Sequence, residues 1–238
     1  MSIAENIARI REQVHAGARR VGRSPDAIRF MAVTKTVAPE RIREAYAAGI
    51  RVFGENRVQE FAGKVDAVRD LSGARWHMIG HLQSNKAGRA VDLFDSVDSV
   101  DSLKLAYKLN SAAAERQKRV PVLIEINVGG EEAKSGIALD SAELDDLLIA
   151  APELTWLQFQ GLMTVPPYRE NAEESRPYFR RMRELGHEIE GRNLAAIQMK
   201  VLSMGMSHDF QVAVEEGATC VRLGTAIFGG RPPVRSHR

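Results

Sequence analysis

The chain has a single cysteine, Cys220, in 238 residues. One thiol cannot build an intrachain disulfide framework or a cysteine-rich zinc site, and such usage suits the reducing cytosol. Charge of one sign is not in excess either: 33 Lys and Arg face 31 Asp and Glu, for a net charge of +2. That excludes a broad basic surface for nucleic acid. No apolar run approaches the roughly 20 residues that cross a bilayer. The first eleven residues lack the apolar core of a secretory signal. A cytoplasmic protein with no nucleic-acid and no membrane partner is expected. Linker-like breaks and low-complexity tracts are also missing. With 44% apolar and 27% charged residues, the composition is that of an ordinary globular protein able to bury a core.

What is present is a rhythm. Ile3, Ile7, Ile10 and Val14 recur at helical spacing in residues 2–22. Short apolar runs then alternate with helical segments. The runs are 28–36, 50–54, 76–80, 93–97, 120–127, a stretch within 154–164, 198–203 and 220–224. The helices between and after them fall at 39–48, 57–71, 85–91, 102–118, 141–150, 172–190 and 207–217. Eight strand-then-helix units in this length predict an α/β protein, a single-domain (β/α)8 TIM-type barrel over 1–230 with an extra N-terminal helix that covers one end. Residues 231–238 read as a flexible tail. A doubly wound open sheet is the competing architecture.

In such a barrel, chemistry sits at the C-terminal ends of the strands. Lys35 lies near the end of the first apolar run. Lysine is rarely buried, and poor solvation of an ammonium there favours the neutral amine, which attacks aldehydes to form Schiff bases. The competing reading lets Lys35 snorkel into water. Other strand ends carry Glu55 and Asn56, Gly80 and His81, Asn127, Met163 and Thr164, Ser203, and Arg222 with Gly224 and Thr225. The segments Ser203-Met204-Gly205-Met206-Ser207 and Arg222-Leu223-Gly224-Thr225-Ala226 read as two loops after the seventh and eighth strands. Barrels often bind phosphate there, with glycines admitting the backbone and hydroxyls of Ser203 and Thr225 donating. The plainer alternative is two turns with Ser207 as a helix cap. His77, His81 and His208 lack close metal-ligand spacing, so no metal site is expected. Cys220 reads as a core residue, Ser84-Asn85-Lys86 as a helix N-cap, and Glu131, Glu132 and Lys134 as a solvated loop.

These residues carry a resemblance. Ala32-Val33-Thr34-Lys35, Phe53-Gly54-Glu55-Asn56-Arg57-Val58-Gln59-Glu60 and Trp76-His77-Met78-Ile79-Gly80-His81-Leu82-Gln83-Ser84-Asn85-Lys86 belong to it. So do Glu125-Ile126-Asn127-Val128, Lys134-Ser135-Gly136, Gly161-Leu162-Met163-Thr164, Ser203-Met204-Gly205-Met206-Ser207-His208-Asp209 and Val221-Arg222-Leu223-Gly224-Thr225-Ala226-Ile227-Phe228-Gly229. In this order, over nearly the whole chain, they resemble the pyridoxal phosphate homeostasis family, similar in fold to the barrel domain of alanine racemase. His81 departs from it, since many relatives carry proline there. The resemblance implies an internal aldimine between Lys35 and pyridoxal 5'-phosphate. It implies that Ser203, Gly224 and Thr225 bind the phosphate, together with the Met204-Gly205 backbone. Arg222 is implied near the pyridine nitrogen, with Asn56 and Met163 around the ring.

Two functions follow from the resemblance: a non-enzymatic carrier of the cofactor, and a pyridoxal-phosphate-dependent racemase. The carrier is favoured because barrel-type racemases add a β-rich domain supplying a tyrosine base, whereas this chain stops after the barrel. An arginine beside the pyridine nitrogen also leaves the ring a weaker electron sink than an aspartate would. A barrel enzyme that uses Lys35 as a general base, without the cofactor, is a third class. The expected partners are pyridoxal phosphate and apo forms of enzymes that use it, and the expected oligomeric state is a monomer.

Overall fold

Ser2 starts the first helix. Its hydroxyl accepts the Glu5 N–H while the Glu5 carboxylate accepts the Ser2 N–H, a capping box. The helix, α1 (Ile3–Arg20), buries Ile3, Ile7, Ile10, Val14 and Ala18 on one face. The computed structural model describes residues 1–131 and 135–230. Lys134 and Glu132 of the expected polar loop, and the expected tail at 231–238, lie outside them.

The strands are β1 (Arg29–Val33), β2 (Val52–Glu55), β3 (Arg75–Met78), β4 (Ser96–Val100), β5 (Val120–Asn127), β6 (Ile137–Ala138), β7 (Leu157–Met163), β8 (Ile197–Met206) and β9 (Cys220–Leu223). Eight of them close a parallel barrel, in the order β4-β3-β2-β1-β9-β8-β7-β5 with β5 returning to β4. The two-residue β6 only extends the edge beside β5. The helices between them are α2 (Pro39–Ala47), α3 (Val58–Ala62), α4 (Ala87–Leu93), α5 (Leu103–Glu115), α6 (Ala142–Ala150), α7 (Arg176–Gly191), α8 (Phe210–Glu215) and α9 (Thr225–Phe228). The closed barrel excludes the open doubly wound sheet.

Two apolar layers result. The larger joins the strands to the helices and includes Phe53, Phe61, Trp76, Phe94, Phe159 and Phe179. The smaller lies inside the barrel, where Met31, Val52 and Cys220 meet Ile79 and Val201. Burial pushes the Cys220 thiol up to about 11, so Cys220 packs as a small apolar side chain.

Four expectations need correction. The helix α1 does not cover an end of the barrel; it packs against α8, α9 and α2 on the flank. The helices α8 and α9 span only six and four residues, which leaves that flank short of apolar cover. The fourth strand runs three residues later than expected, because Leu93 still ends α4. Its buried Ser96, Asp98 and Ser99 break the apolar pattern but satisfy one another's neighbourhood: Asp98 meets His77 Nδ1 at 2.9 Å and Ser99 donates to Gly80 O at 2.7 Å. The helix expected over 57–71 is only α3 and a 3₁₀ turn at Val65–Ala67. Finally, Ser84-Asn85-Lys86 forms a 3₁₀ turn with no side-chain cap bond.

Candidate functional site

At the C-terminal rim, β1 ends at Val33 and Lys35 sits in the turn that follows, half-buried. It lines a cavity of about 290 Å³ with Thr36, Arg41, Gly224, Thr225 and Phe228. Proline opens α2 at Pro39, a position that needs no N–H, and α2 brings Arg41 to the cavity. The Arg41 guanidinium donates to Phe228 O and lies 5.7 Å from the Phe228 ring centroid. Among the described residues, the Lys35 Nζ has no hydrogen bond or ion pair. One unpaired primary amine thus shares a cavity with a guanidinium, a hydroxyl and a glycine backbone. That donor set fits a phosphorylated aldehyde.

The first of the two expected phosphate loops is not a loop. Ser203, Met204, Gly205 and Met206 continue β8. Gly205 has φ 89°, and a Cβ there would stand 2.4 Å from Ala213 Cβ, so glycine lets α8 press against the strand. Met204 is buried in the layer between strands and helices. Ser203 turns inward, and the hydroxyl expected on phosphate accepts from Arg222 Nη1 at 2.8 Å. The second loop, after β9, keeps Gly224 and Thr225 at the cavity. Its backbone is fixed by Ser207, whose Oγ accepts the N–H of Gly224 at 3.2 Å and of Ala226 at 3.1 Å. Ser207 is therefore a tie between the two rim segments rather than a helix cap.

Behind the cavity lies a polar layer inside the barrel. Arg222 is 3% exposed. Its Nη1 donates to Ser203 O at 2.6 Å and its Nη2 to Thr164 O at 2.6 Å. Burial pulls its guanidinium down from the usual arginine range. Met163 is paired in register with Ser203 and with Glu125. Glu125 is 7% exposed and, among the described residues, its Oε2 has no partner. Burial, then the nearby Asp101 charge, push its carboxyl up to about 7, against the pull of Arg222 and His81.

The folded protein therefore binds more protons than the unfolded chain between about pH 4.5 and pH 7. Stability from this group falls as pH rises through that window, by about 3 kcal/mol in all. Glu125→Gln is expected to be more stable than the parent at pH 8, by up to about 3 kcal/mol, and no more stable at pH 4. Urea denaturation at the two pH values checks this; an equal effect at both would remove the titration from the account.

The structure brings Lys35, Gly224 and Thr225 to one cavity, with Ser203, Arg222 and Met163 in the layer beneath. Asn56 instead lines a separate rim cleft of about 230 Å³ with Arg57, His81 and Lys86. Its Oδ1 is buried without a partner among the described residues. Sequence reasoning missed Arg41, Ser207 and Glu125. Arg41 stood on the helix at 39–48 rather than at a strand end, and Ser207 had a simpler meaning as a cap. Glu125 carried a signal, a carboxylate inside an otherwise apolar strand. A larger cavity of about 680 Å³ lies at the opposite side, beside Arg23, Arg183 and Glu216. Its arginines serve structure: Glu216 takes Arg180 at 3.3 Å and Arg183 at 2.8 Å.

Comparison with known proteins bears on the family and the fold. Residues 2–232 match the family model of the alanine racemase N-terminal domain. The chain is 44% identical over 231 residues to the pyridoxal phosphate homeostasis protein of Aquifex aeolicus, covering 97% of this chain and 99% of that one. PipY of Synechococcus elongatus PCC7942, solved with PLP bound, is similar with a TM-score of 0.83 and 38% identity, over 96% of this chain and 100% of PipY. Alanine racemase from Streptomyces coelicolor A3(2) shares the fold at 22% identity, with a TM-score of 0.69 over 94% of this chain and 59% of the racemase. Identity of this extent, on a barrel that turns an unpaired lysine toward its rim cavity, makes the chain a member of the pyridoxal phosphate homeostasis protein family.

Proposed function

We propose that this protein binds pyridoxal 5'-phosphate, holds it as a Schiff base on Lys35, and buffers or delivers it without an amino-acid reaction of its own. The observation that carries the reading is the unpaired Lys35 amine in a cavity with Arg41, Gly224 and Thr225. The names of the relatives, and the PLP bound to PipY, support it. When bound, the cofactor supplies an aldehyde and a phosphate. Lys35 would hold the group through its amine, and the aldehyde would supply the carbon for that attachment, with its oxygen lost as water. Arg41 and the Thr225 hydroxyl are suited to the phosphate, and Arg222, held by Ser203 and Thr164, to a ring nitrogen that stays unprotonated. Reduction of the cofactor-loaded protein with borohydride, followed by peptide mass mapping, tests the attachment. The label is expected on Lys35, and a label on Lys86 with Lys35 unmodified would sink the reading.

Thr225→Ala should lose a hydrogen bond to a charged acceptor, worth about 1.5–3 kcal/mol, or roughly ten-fold or more in affinity. The loss should be seen with pyridoxal phosphate and not with pyridoxal. Equal losses for both ligands would remove Thr225 from the phosphate.

No useful turnover of amino acids is expected. Racemisation needs a base on each face of the substrate carbon, and Lys35 serves one. Of the tyrosines, Tyr46 donates to Ser72 O at 2.7 Å and Tyr178 accepts from Arg169 at 3.2 Å. Tyr107 lies on α5, half exposed. Tyr168, after β7, is 73% exposed with its ring 5.4 Å from that of His208. Such exposure leaves the Tyr168 ring facing solvent rather than enclosed with Lys35. Chiral analysis after incubation with L-alanine checks this. A rate within the usual enzymatic range, about 1–10³ s⁻¹, lost in Tyr168→Phe, would favour a racemase instead.

A further inference from the structure

Two threonines bracket Lys35, and both are held from the same side. Thr34 is fully buried. It donates its N–H to Gly54 O at 2.9 Å and its hydroxyl to Glu55 Oε1, while its carbonyl accepts from Lys64 Nζ at 2.8 Å. Thr36 stands at φ 59°, in the left-handed region that a β-branched residue avoids. Its N–H donates to Glu60 Oε1. Lys64 joins the two anchors, with Nζ 2.8 Å from Glu55 Oε1 and 3.3 Å from Glu60 Oε1.

The arrangement is over-determined. An ammonium has three N–H donors, and Thr34 O, Glu55 and Glu60 occupy all three on Lys64. The Lys64 side chain is 10% exposed and that of Glu55 0%, so water competes little for these bonds. Burial pushes the Glu55 carboxyl up, and the bonds from Lys64 and Thr34 pull against that rise. A non-glycine residue in the left-handed region costs about 1–3 kcal/mol and persists only where its surroundings hold it. Here Glu60 Oε1 holds the Thr36 N–H, and the Val37 N–H bond to Thr34 O at 3.0 Å closes the turn around it. Two primary amines thus stand close to the same turn. One has every donor engaged, and the other, among the described residues, has none.

We propose that Lys64, bridging Glu55 and Glu60, is a positioning group for Lys35. It clamps Thr34 and Thr36 so that the intervening side chain projects into the cavity, and its own amine is consumed in doing so. The inference rests on Lys35 as the attachment point. It adds that the attachment rate is set by a network on β2, α3 and the residues just after them.

Three full-length variants test it: Glu60→Ala, Glu60→Gln and Lys64→Met. Glutamine keeps an acceptor for the Thr36 N–H, so Glu60→Gln should retain the parent's behaviour within about two-fold. Glu60→Ala and Lys64→Met should slow attachment of pyridoxal phosphate, followed by absorbance, by about ten-fold or more, the factor for about 1.4 kcal/mol of lost positioning. Binding of pyridoxamine 5'-phosphate, which has no aldehyde, should stay within about two-fold. A second readout uses no cofactor: reductive methylation of the free protein with formaldehyde and cyanoborohydride, scored at Lys35 by mass spectrometry. The Lys35 methylation rate should change in Glu60→Ala and return in Glu60→Gln. Parent-like attachment and methylation in Glu60→Ala would overturn the proposal, as would a parallel loss of pyridoxamine phosphate binding. Should Lys64→Met fail to fold, with Glu55 left buried and unpaired, Glu60→Ala carries the test alone, because the Glu60 side chain is 28% exposed. If the parent protein takes no borohydride label on Lys35, the function proposed above fails, while the methylation rates still decide the clamp.

Discussion

Lys35→Ala is expected to abolish covalent retention of pyridoxal phosphate and leave the protein folded. An imine needs a primary amine, and the cavity at the rim offers Lys35 alone among its lining residues. Lys64, which reaches the same turn through Thr34 O, has its three donors committed to Thr34 O, Glu55 and Glu60. Lys86 lines the separate cleft with Asn56. The variant should lose the visible absorbance of the bound cofactor, carry no borohydride label, and release pyridoxal phosphate on desalting. Noncovalent binding through Thr225 and Arg41 should persist at reduced affinity. Stability should stay within about 0.5 kcal/mol of the parent, because Lys35 is half-buried and makes no ion pair whose loss strands a charge. A full-yield label on another lysine in Lys35→Ala would show that the attachment site was misassigned.

Gly161→Ala should be the most damaging single methyl group in the barrel. Gly161 lies in β7 opposite Val201 of β8, where the strand register shifts. Its φ is 153°, and an added Cβ would stand 1.9 Å from Val201 O and 2.7 Å from Val201 C. That atom is backbone inside a parallel ladder, so it cannot rotate away. Glycine here lets two strands approach through a bulge. The expected cost exceeds about 4 kcal/mol, a large share of the roughly 5–15 kcal/mol that holds a domain folded. At about 2–4 °C per kcal/mol for a chain of this size, the melting temperature should fall by roughly 10 °C or more. Two residues on, Met163 pairs with Ser203, so the damage should also reach Arg222 and weaken cofactor binding. A melting point within about 3 °C of the parent would mean that the strands separate locally at small cost.

Much of the barrel was legible in the sequence because outward-facing apolar residues recur with the period of each element. The eight strand positions follow from that pattern, and seven of them lie within a few residues of their expected places. The fourth slipped because Ser96, Asp98 and Ser99 are buried but polar, and an apolar-run rule cannot see that Asp98, His77 and Gly80 O supply their partners. The same blindness turned the end of β8 into a loop, since Gly205 and Ser203 read as turn residues. What decides is the close approach of α8 to Gly205, which leaves no room for a Cβ, and the inward bond that Ser203 Oγ accepts from Arg222, and neither has a local signature.

The sequence by itself determined the fold class, the family, and the candidate amine, because each depends on residue types in local order: alternating strands and helices, long matching segments, and a lysine closing an apolar run. Tertiary structure alone decided what surrounds that amine. Arg222 reaches Thr164 across 58 positions of sequence, Arg41 reaches Phe228 across 187, and Lys64 reaches Thr34 across 30. A closed barrel brings distant strand ends to one rim, and hydrogen bonds depend on distances in space that the order of residues does not record.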